Sequence, residues 1–210
     1  SGKGYYPHIP NAVLWSNDAE SYRAFLRGLF EADGTVAAGY PSWTTTTIDF
    51  SRDVQTMMLA LGFVTTRHFG TSGRGSRVAV LRLLNEQSNA SWLDEVGFIS
   101  SRKAAAVDTA DHPQSARYDY IPVTRVLIDR VAPVNDRNRK VALMGHSRNG
   151  SITRRLASEL FDMTGDAELG HLLGFFYDCV AAAGLGDEEF TYDLSVPDNV
   201  TYVANGFVSH

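Results

Sequence analysis

The segment that most constrains the fold of this 210-residue chain is residues 22–36, which read YRAFLRGLFEADGTV. Its apolar residues recur every three or four positions, as on one face of an amphipathic helix, and an Asp-Gly pair ends the run. Residues 16–18 offer capping side chains at its start. Gly28 lies in the helix interior, where glycine costs about 1 kcal/mol relative to alanine. Close packing of another helix explains this glycine, so we predict an amphipathic helix with a helix-to-helix contact at Gly28.

Short strands and helices alternate after this helix. Aromatic and β-branched runs predict strands, and clusters of Gly, Pro and Ser between them predict turns. The order over the first 105 residues is α-β-β-α-β-β-α. The predicted elements after the first helix are strands at 35–39 and 43–50, a helix capped by Ser51 and ended by Gly62, strands at 63–69 and 76–84, and a helix at 85–96.

The rest of the chain divides into two parts of different character. Residues 106–175 read as a basic connector with helices, whereas residues 176–210 are β-rich and carry six acidic and no basic residues. We therefore predict an α+β fold with three domains, at 1–105, 106–175 and 176–210. The further predicted elements are a polar stretch at 101–120, a strand at 121–131, helices at 154–164 and 168–176, and strands on either side of a turn at 197–199.

The net charge of −5 does not exclude a nucleic-acid partner, because the acidic excess lies in the tail. Residues 52–82 contain five arginines against one acidic residue, and residues 125–155 contain eight Arg or Lys against two. Phosphate neutralisation by such residues supplies most non-specific affinity for DNA. The chain can therefore present a local basic face, although solvated arginines scattered over the surface give the same counts.

Composition excludes several classes of protein. No run approaches the roughly 20 apolar residues of a membrane span, and the first ten residues lack the apolar region of a secretory signal. Cys179 is the one cysteine, so an internal disulfide is excluded, and no paired Cys and His spacing indicates a zinc site. We expect a soluble, cytoplasmic protein without a membrane partner.

The nonapeptide at residues 26–34, LRGLFEADG, resembles the signature of the LAGLIDADG homing endonucleases position by position. The resemblance extends over residues 16–105 and includes WLDEVGFISSRK at 92–103, which is similar to the block that closes this subdomain in inteins. It implies that two such helices pack at the centre of a two-lobed saddle, each ending in an acidic residue that faces double-stranded DNA. Asp33 takes that place here and would bind Mg²⁺, which activates water and stabilises charge on a phosphate. An Asp-Gly pair also ends many ordinary helices, which is the alternative for Asp33.

The same resemblance implies that DNA lies on the sheets of the saddle. The candidate contacts are the outward residues of 43–47 and five basic residues, among which Arg77 or Arg82 would stabilise the reacting phosphate: Arg67, His68, Arg74, Arg77 and Arg82. One lobe supplies one metal-binding acid, whereas two-metal cleavage uses a pair. Residues 172–180 are not a second copy, because Cys179 stands where the acid belongs. We expect the second acid from an N-terminal intein half or from a second LAGLIDADG lobe.

Residues 191–210 resemble the two C-terminal splicing blocks of inteins over their full length. The resemblance implies part of a Hint splicing fold, in which a terminal Asn cyclises and releases the downstream host protein, the extein. His210 would polarise the Asn carbonyl or protonate the leaving amine, and Asp193 would help to activate the downstream nucleophile. The sequence stops before that Asn, so we expect no C-terminal cleavage by these residues alone. Val200 stands where some inteins have a histidine, and the tail is also similar to inteins of ribonucleotide reductases.

Three functions stay open from the sequence. The leading one is an intein fragment that joins a Mg²⁺-dependent DNA endonuclease lobe to a C-terminal splicing segment. The others are a DNA-binding module with an inactive nuclease and an autoprocessing domain without a DNA role. They differ in whether cleavage needs Asp33 and whether DNA affinity depends on salt. Residues 65–68 match the T-x-x-H of the N-terminal splicing histidine block, but a predicted strand of the lobe accounts for them.

Overall fold

The computed structural model describes residues 6–16, 18–84, 87–110, 119–132, 137–180 and 183–186, together with the backbone of 202–204 and 207–209. The chain divides into two compact units. One consists of Ser1–His112 with Glu189–His210, and the other of Pro113–Glu188. Both helices and strands contribute, so the predicted α+β class is confirmed. In the described part of the chain, no helix is both long and apolar enough to cross a bilayer.

The first unit contains a four-stranded antiparallel sheet in the order β1-β2-β4-β3. From α2 to α4 its elements follow the predicted α-β-β-α-β-β-α order. The elements are α1 Asn11–Leu14, α2 Ala19–Asp33, β1 Gly34–Ala37, β2 Tyr40–Thr45, α3 Ile48–Ala60, β3 Thr65–Thr71, β4 Arg77–Leu83, α4 Gln87–Glu95 and α5 Ser101–Ala104.

Helix α2 begins and ends where its sequence requires. The Asp18 carboxylate accepts hydrogen bonds from the backbone N–H groups of Glu20 and Ser21, at 3.3 and 2.9 Å, and so caps the start. Gly34 follows the last turn, and a Cβ atom there would lie 2.4 Å from the Phe30 carbonyl oxygen. Only glycine therefore lets the chain pass directly from α2 into β1, and this leaves Asp33 at the helix end.

The strand predicted at 43–50 is too long. Strand β2 ends at Thr45 and α3 begins at Ile48. Phe50 and Val54 are both buried and stand four residues apart, which is the helical period. Phe50 therefore belongs to the apolar face of α3, although its aromatic ring favours a strand by propensity.

One face of the sheet packs against the helices. Trp43 of β2 and Leu81 of β4 are cross-strand neighbours, and both are buried in the same core as Leu26 and Phe30 of α2. The Phe30 ring lies 5.2 Å from that of Trp92 in α4. This core fixes α2 against the sheet, so the end of α2 has a defined position relative to the strands.

The second unit has a hydrophobic core of its own. Most of its buried residues come from β5, α6, α7, β6, α8 and α9. Arg154 of α8 binds the Asp119 carboxylate at 2.8 Å, and both side chains are largely buried. The elements are β5 Tyr120–Pro122, α6 Arg125–Val131, α7 Arg137–Asn149, β6 Ser151–Thr153, α8 Arg154–Thr164 and α9 Ala167–Leu173.

The predicted strand at 121–131 is wrong over most of its length. Only Tyr120–Pro122 forms a strand, which pairs with β6, and Arg125–Val131 is helix α6. The Thr124 hydroxyl accepts a hydrogen bond from the Leu127 N–H at 3.1 Å and caps this helix. The helix predicted at 154–164 is confirmed with the same bounds, and the helix predicted at 168–176 is observed as Ala167–Leu173.

The tail contains two short antiparallel strands. They are β7 Tyr202–Ala204 and β8 Phe207–Ser209. Strand structure in this region agrees with the β-rich prediction. Asp193 and His210, the two predicted splicing residues, lie outside the described residues.

Candidate nucleic-acid interface and metal-binding carboxylate

Asp33 is the last residue of α2 and is exposed to solvent. Glu31, two residues earlier, has a structural contact instead. Its carboxylate accepts hydrogen bonds from the backbone N–H groups of Ile99 and Ser100, each at 3.0 Å. Glu31 thereby holds the segment that leads into α5. The Asp33 carboxylate is thus the exposed acidic group at the end of this helix.

Lys103 of α5 holds the last turn of α2. Its ammonium group donates hydrogen bonds to the carbonyl oxygens of Phe30, at 3.2 Å, and of Glu31. It also lies 5.6 Å from the centre of the Phe98 ring. The carbonyl oxygens at a helix C-terminus carry partial negative charge, so a cation there is favourable. Lys103 therefore brings a positive charge to the helix end that carries Asp33.

The face of the sheet opposite the helices is open to solvent at several positions. Directly paired residues of neighbouring strands share a face. Arg82 pairs with both Ser42 and Thr66, and its guanidinium group lies 4.0 Å from the centre of the Tyr40 ring. His68 pairs with Val80 and is exposed on the same face. Arg82 and His68, two of the predicted DNA contacts, therefore lie together on the open face.

Arg67 and Arg77 lie on the other face. Arg67 pairs with Leu81, whose side chain is in the core, so the strand register directs Arg67 to the helix side of the sheet. Both guanidinium groups lie near the half-exposed ring of Phe69. The centre of this ring is 5.6 Å from the guanidinium carbon of Arg67 and 5.0 Å from that of Arg77. Arg74 lies in the exposed turn between β3 and β4. The five predicted basic residues thus form two groups and a turn residue rather than one surface.

Gly28 faces open space. A Cβ atom at this position would have no described neighbour within 4 Å. Ala24 and Ala32, one helical turn before and after it, are also exposed. The predicted helix-to-helix contact at Gly28 is therefore not made within the described part of the chain, and α2 has an uncovered stripe of small residues that leads towards Asp33.

The residues near Asp33 fit half of a metal site. Among the described residues, no group of three or more His, Cys, Asp or Glu side chains could enclose a metal ion. Mg²⁺ is commonly held by one or two carboxylates together with waters and phosphate oxygens of the substrate. A single exposed carboxylate suits that kind of shared coordination, and Asp33 is the residue that would hold the ion.

Sequence patterns do not identify two residues of this region. Lys103 lies within the block at 92–103, but its contact with α2 joins residues about seventy positions apart, which no local pattern predicts. The sequence places Tyr40 in a turn, whereas it begins β2 and lies under Arg82. If the strand predicted at 43–50 had begun at Tyr40, its alternation would have put Tyr40, Ser42 and Thr44 on one face.

Comparison with known proteins agrees with this arrangement. Residues 20–97 match the family model described as a LAGLIDADG-like domain. The replicative DNA helicase DnaB of Rhodothermus marinus is 23% identical over 99% of this chain, which covers 25% of that protein. The DNA gyrase A subunit of Mycolicibacterium flavescens is 26% identical over 94% of the chain, which covers 38% of it. The replicative DNA helicase DnaB of Synechocystis sp. (strain ATCC 27184 / PCC 6803 / Kazusa) is 22% identical over 99% of the chain, with 27% of its own length covered.

The chain thus spans between a quarter and two fifths of these curated relatives. Their similarity extends beyond the LAGLIDADG-like match into both later parts of the chain. The family match itself begins inside α2 and ends just after α4, so it covers the sheet, its helices, Asp33 and the basic strands. Residues 20–97 are therefore similar to a LAGLIDADG-like domain.

Proposed function

We propose that this domain is one half of a site-specific, Mg²⁺-dependent double-strand DNA endonuclease, and that the chain is a fragment of an intein. The observation that carries the proposal is the uncovered small-residue stripe of α2, whose last residue, Ala32, directly precedes the exposed Asp33. The domain supplies one acidic residue and one open sheet face. A second lobe, from an N-terminal intein half or from another chain, supplies the second acidic residue and the second sheet face.

The stripe fits a second helix at close range. Ala24, Gly28 and Ala32 recur every fourth residue, so they lie on one side of α2. Small residues let two helix backbones approach more closely than ordinary side chains allow, and a helix interior keeps a glycine at a stability cost. Packing two such helices together brings the two acidic helix ends side by side. That arrangement provides the pair of carboxylates that two-metal phosphodiester hydrolysis requires.

The residues of this chain have separable roles in such a site. Asp33 binds the divalent ion, which supplies an activated water and charge stabilisation at the phosphate. Lys103 fixes the carbonyl end of α2 and so positions Asp33. Arg82, stacked on Tyr40, offers a guanidinium group to a phosphate oxygen on the open face, and His68 lies on the same face. Arg74 and Arg77 extend the positive charge along the β3–β4 hairpin.

Cleavage of the uninterrupted target tests this proposal. The substrate is a plasmid that carries the DNA flanks of this coding segment joined together, incubated with Mg²⁺ and with the chain plus its second lobe. We expect linear plasmid from the native protein and a loss of about a hundredfold or more in rate with Asp33→Asn. The control is Asp53→Asn, which removes an exposed acidic residue of α3. Equal cleavage by Asp33→Asn and the native protein would remove Asp33 from the mechanism.

The competing function, DNA binding with an inactive nuclease, gives a different result in the same assay. It predicts salt-dependent binding of the plasmid with no linear product at any Mg²⁺ concentration. The chain without a second lobe is informative too. If a monomer of these 210 residues linearised the target, the half-site proposal would be wrong.

The tail supports the intein part of the proposal. Residues 191–210 carry the sequence resemblance to splicing blocks, and the antiparallel strands Tyr202–Ala204 and Phe207–Ser209 suit a β-rich splicing fold. His210 assists cyclisation of an Asn that follows it, and Asp193 assists the downstream nucleophile. The ribonucleotide reductase host stays a prediction from the tail sequence, because the relatives named above are helicase and gyrase proteins.

Release of a reporter tests the tail. The chain is extended after His210 by Asn and a fluorescent reporter and is mixed with an N-terminal splicing half. We expect free reporter on a denaturing gel, at least tenfold less with His210→Ala, and unchanged release with Asp33→Asn. Equal release by His210→Ala would contradict the assigned role of His210.

A further inference from the structure

The second unit contains a helix whose outward side is positively charged and lacks acidic residues. Helix α7 reads RNRKVALMGHSRN over Arg137–Asn149 and contains no Asp or Glu. All but one of its exposed residues recur at helical spacing and form one face, and Asn149 at the C-terminal end lies off it. The residues of the face are Arg137, Lys140, Val141, Met144, Ser147 and Arg148.

The inward side of α7 is fixed to the rest of the unit. Ala142 is fully buried, and a Cβ atom on Gly145 would lie 2.5 Å from the Ser151 carbonyl oxygen of β6. His146 Nδ1 lies 2.9 Å from the Val123 carbonyl oxygen. Arg139 donates to the Ala132 carbonyl oxygen at 2.8 Å and to the Asp129 carboxylate. These contacts hold α7 in one orientation and leave its outward side free.

The cations of this outward side differ from the other arginines of the unit. Arg125, Arg130 and Arg155 each bind a carboxylate, in Asp129, Asp166 and Glu159 respectively. Within the described residues, Arg137, Lys140 and Arg148 have no acidic partner. Three unpaired positive charges on one rigid face favour a partner with regularly spaced negative charges.

We propose that the outward face of α7 binds the major groove of double-stranded DNA. A 13-residue helix is about 20 Å long, and the major groove, about 12 Å wide, admits one α-helix. Arg137 and Lys140 near one end and Arg148 near the other reach phosphates on the two sides of the groove. Val141 and Met144, between them, contact the apolar edges of bases, such as the thymine methyl group.

The same face suits a membrane surface less well. An interfacial helix buries a broad apolar side, usually with Trp, Phe or Leu, into the lipid. Here the exposed apolar residues are Val141 and Met144, and the buried side already packs within the unit. The inference goes beyond the proposed nuclease, because it assigns a DNA contact to a unit outside the LAGLIDADG-like domain, and it does not require cleavage.

Equilibrium DNA binding by the full chain tests the inference. The probe is a fluorescein-labelled duplex of about 40 base pairs, roughly four helical turns, and fluorescence anisotropy measures its binding over a range of salt concentrations. The variant is Arg137→Gln/Lys140→Gln/Arg148→Gln. The matched control is Arg52→Gln/Arg125→Gln/Arg155→Gln, which removes three exposed charges that have acidic partners. Circular dichroism melting checks that both variants are folded.

We expect the α7 variant to bind at least tenfold more weakly at about 0.1 M salt and its salt slope to fall by about 2 to 3, since each lost phosphate contact lowers it by roughly 0.9. The control should bind within about twofold of the native chain. Unchanged affinity and slope of the folded α7 variant would overturn the inference, as would an equal loss in the control. So would loss of binding to phosphatidylserine vesicles with unchanged DNA binding. The binding assay does not require cleavage, so failure of the nuclease proposal is seen separately, in the plasmid assay.

Discussion

Asp166 joins α8 to α9 and is held as a carboxylate by its neighbours. Arg130 donates to it at 2.6 Å, and the Leu169 N–H of α9 donates at 3.0 Å. These hydrogen bonds lower the pKa of Asp166 from its ordinary value of 3.8 to about 2. Since the folded pKa is depressed, the stabilisation is complete above about pH 4 and is lost as the pH falls from about 4 to about 2.

Replacement of Asp166 by Asn should therefore lower the melting temperature most near neutral pH. The difference from the native chain should shrink as the pH falls from about 4 towards about 2, measured by circular dichroism in the far ultraviolet. Asp162→Asn, an exposed position on α8, serves as the control and should change little at any pH. A constant difference over the whole pH range would contradict the assignment.

Lys103 is the residue whose removal should link stability to catalysis. Lys103→Met leaves the Phe30 and Glu31 carbonyl oxygens without their ammonium donor, so we expect a loss of about 1–3 kcal/mol in the free energy of unfolding. Because the end of α2 then holds Asp33 less firmly, the Mg²⁺ concentration for half-maximal cleavage should rise. Urea denaturation and a Mg²⁺ titration measure the two effects. Arg102→Met, at the exposed neighbouring position, should change neither.

The sequence predicts residue chemistry better than residue partners. The position of Asp33 at a helix end follows from local signals, namely an amphipathic run and an Asp-Gly pair. The partners of Lys103 and the two faces occupied by Arg67 and Arg82 depend on strand register and on contacts between distant segments. One shift of register moves every side chain to the opposite face, so a cluster of arginines in sequence does not define a surface.

At Gly28 of α2, the residue that favours stability of the isolated chain differs from the residue that favours packing of two lobes. A Cβ atom at Gly28 has open space in this chain, so Gly28→Ala should stabilise the isolated chain by about 0.5–1 kcal/mol. If a second α2-like helix packs there, the same methyl group holds the two backbones apart, and cleavage by the assembled lobes should fall. Urea denaturation and the plasmid assay test the two halves of this prediction.

Gly62→Ala is an unsuitable control, because Gly62 has a positive φ of 85° that strains any other residue. Ala60→Gly at the exposed end of α3 is better: it should reduce stability and leave cleavage nearly unchanged. A Gly28→Ala protein that is more stable and fully active would contradict helix packing at Gly28.

Elements with competing local signals are the ones that the sequence misassigns. Residues 121–131 are rich in Ile and Val, which favour a strand, yet Leu127, Ile128 and Val131 are buried together at helical spacing. The N-cap hydrogen bond of Thr124 decides between them. The same competition explains why β2 ends before the predicted residue 50. Phe50 favours a strand by propensity, but it packs in the core as part of α3. By contrast, α2 and α8 have consistent period, caps and ends, and both are observed where predicted.

At the scale of the whole molecule, the two units have separate cores, each assembled from its own elements. The sequence predicts a connector at 106–175, whereas most of these residues belong to the second unit. A unit with its own buried core, and with Arg154 bound to Asp119 inside it, can fold as a cooperative region. We therefore predict that the units unfold as two separate cooperative regions of the native chain.

Native-state hydrogen exchange in increasing urea, read by mass spectrometry, tests this in the intact chain. Leu127→Ala removes a fully buried side chain of α6 and should lower the opening free energy of α6–α8 by about 2–5 kcal/mol. The opening free energies of the amides in β2 and β4 should not change. Met58→Ala, in the core of the first unit, should show the reverse pattern. If either substitution lowered protection in both units equally, they would form one cooperative structure, and a charge change on α7 would then act on the LAGLIDADG-like domain through stability as well as through DNA contact.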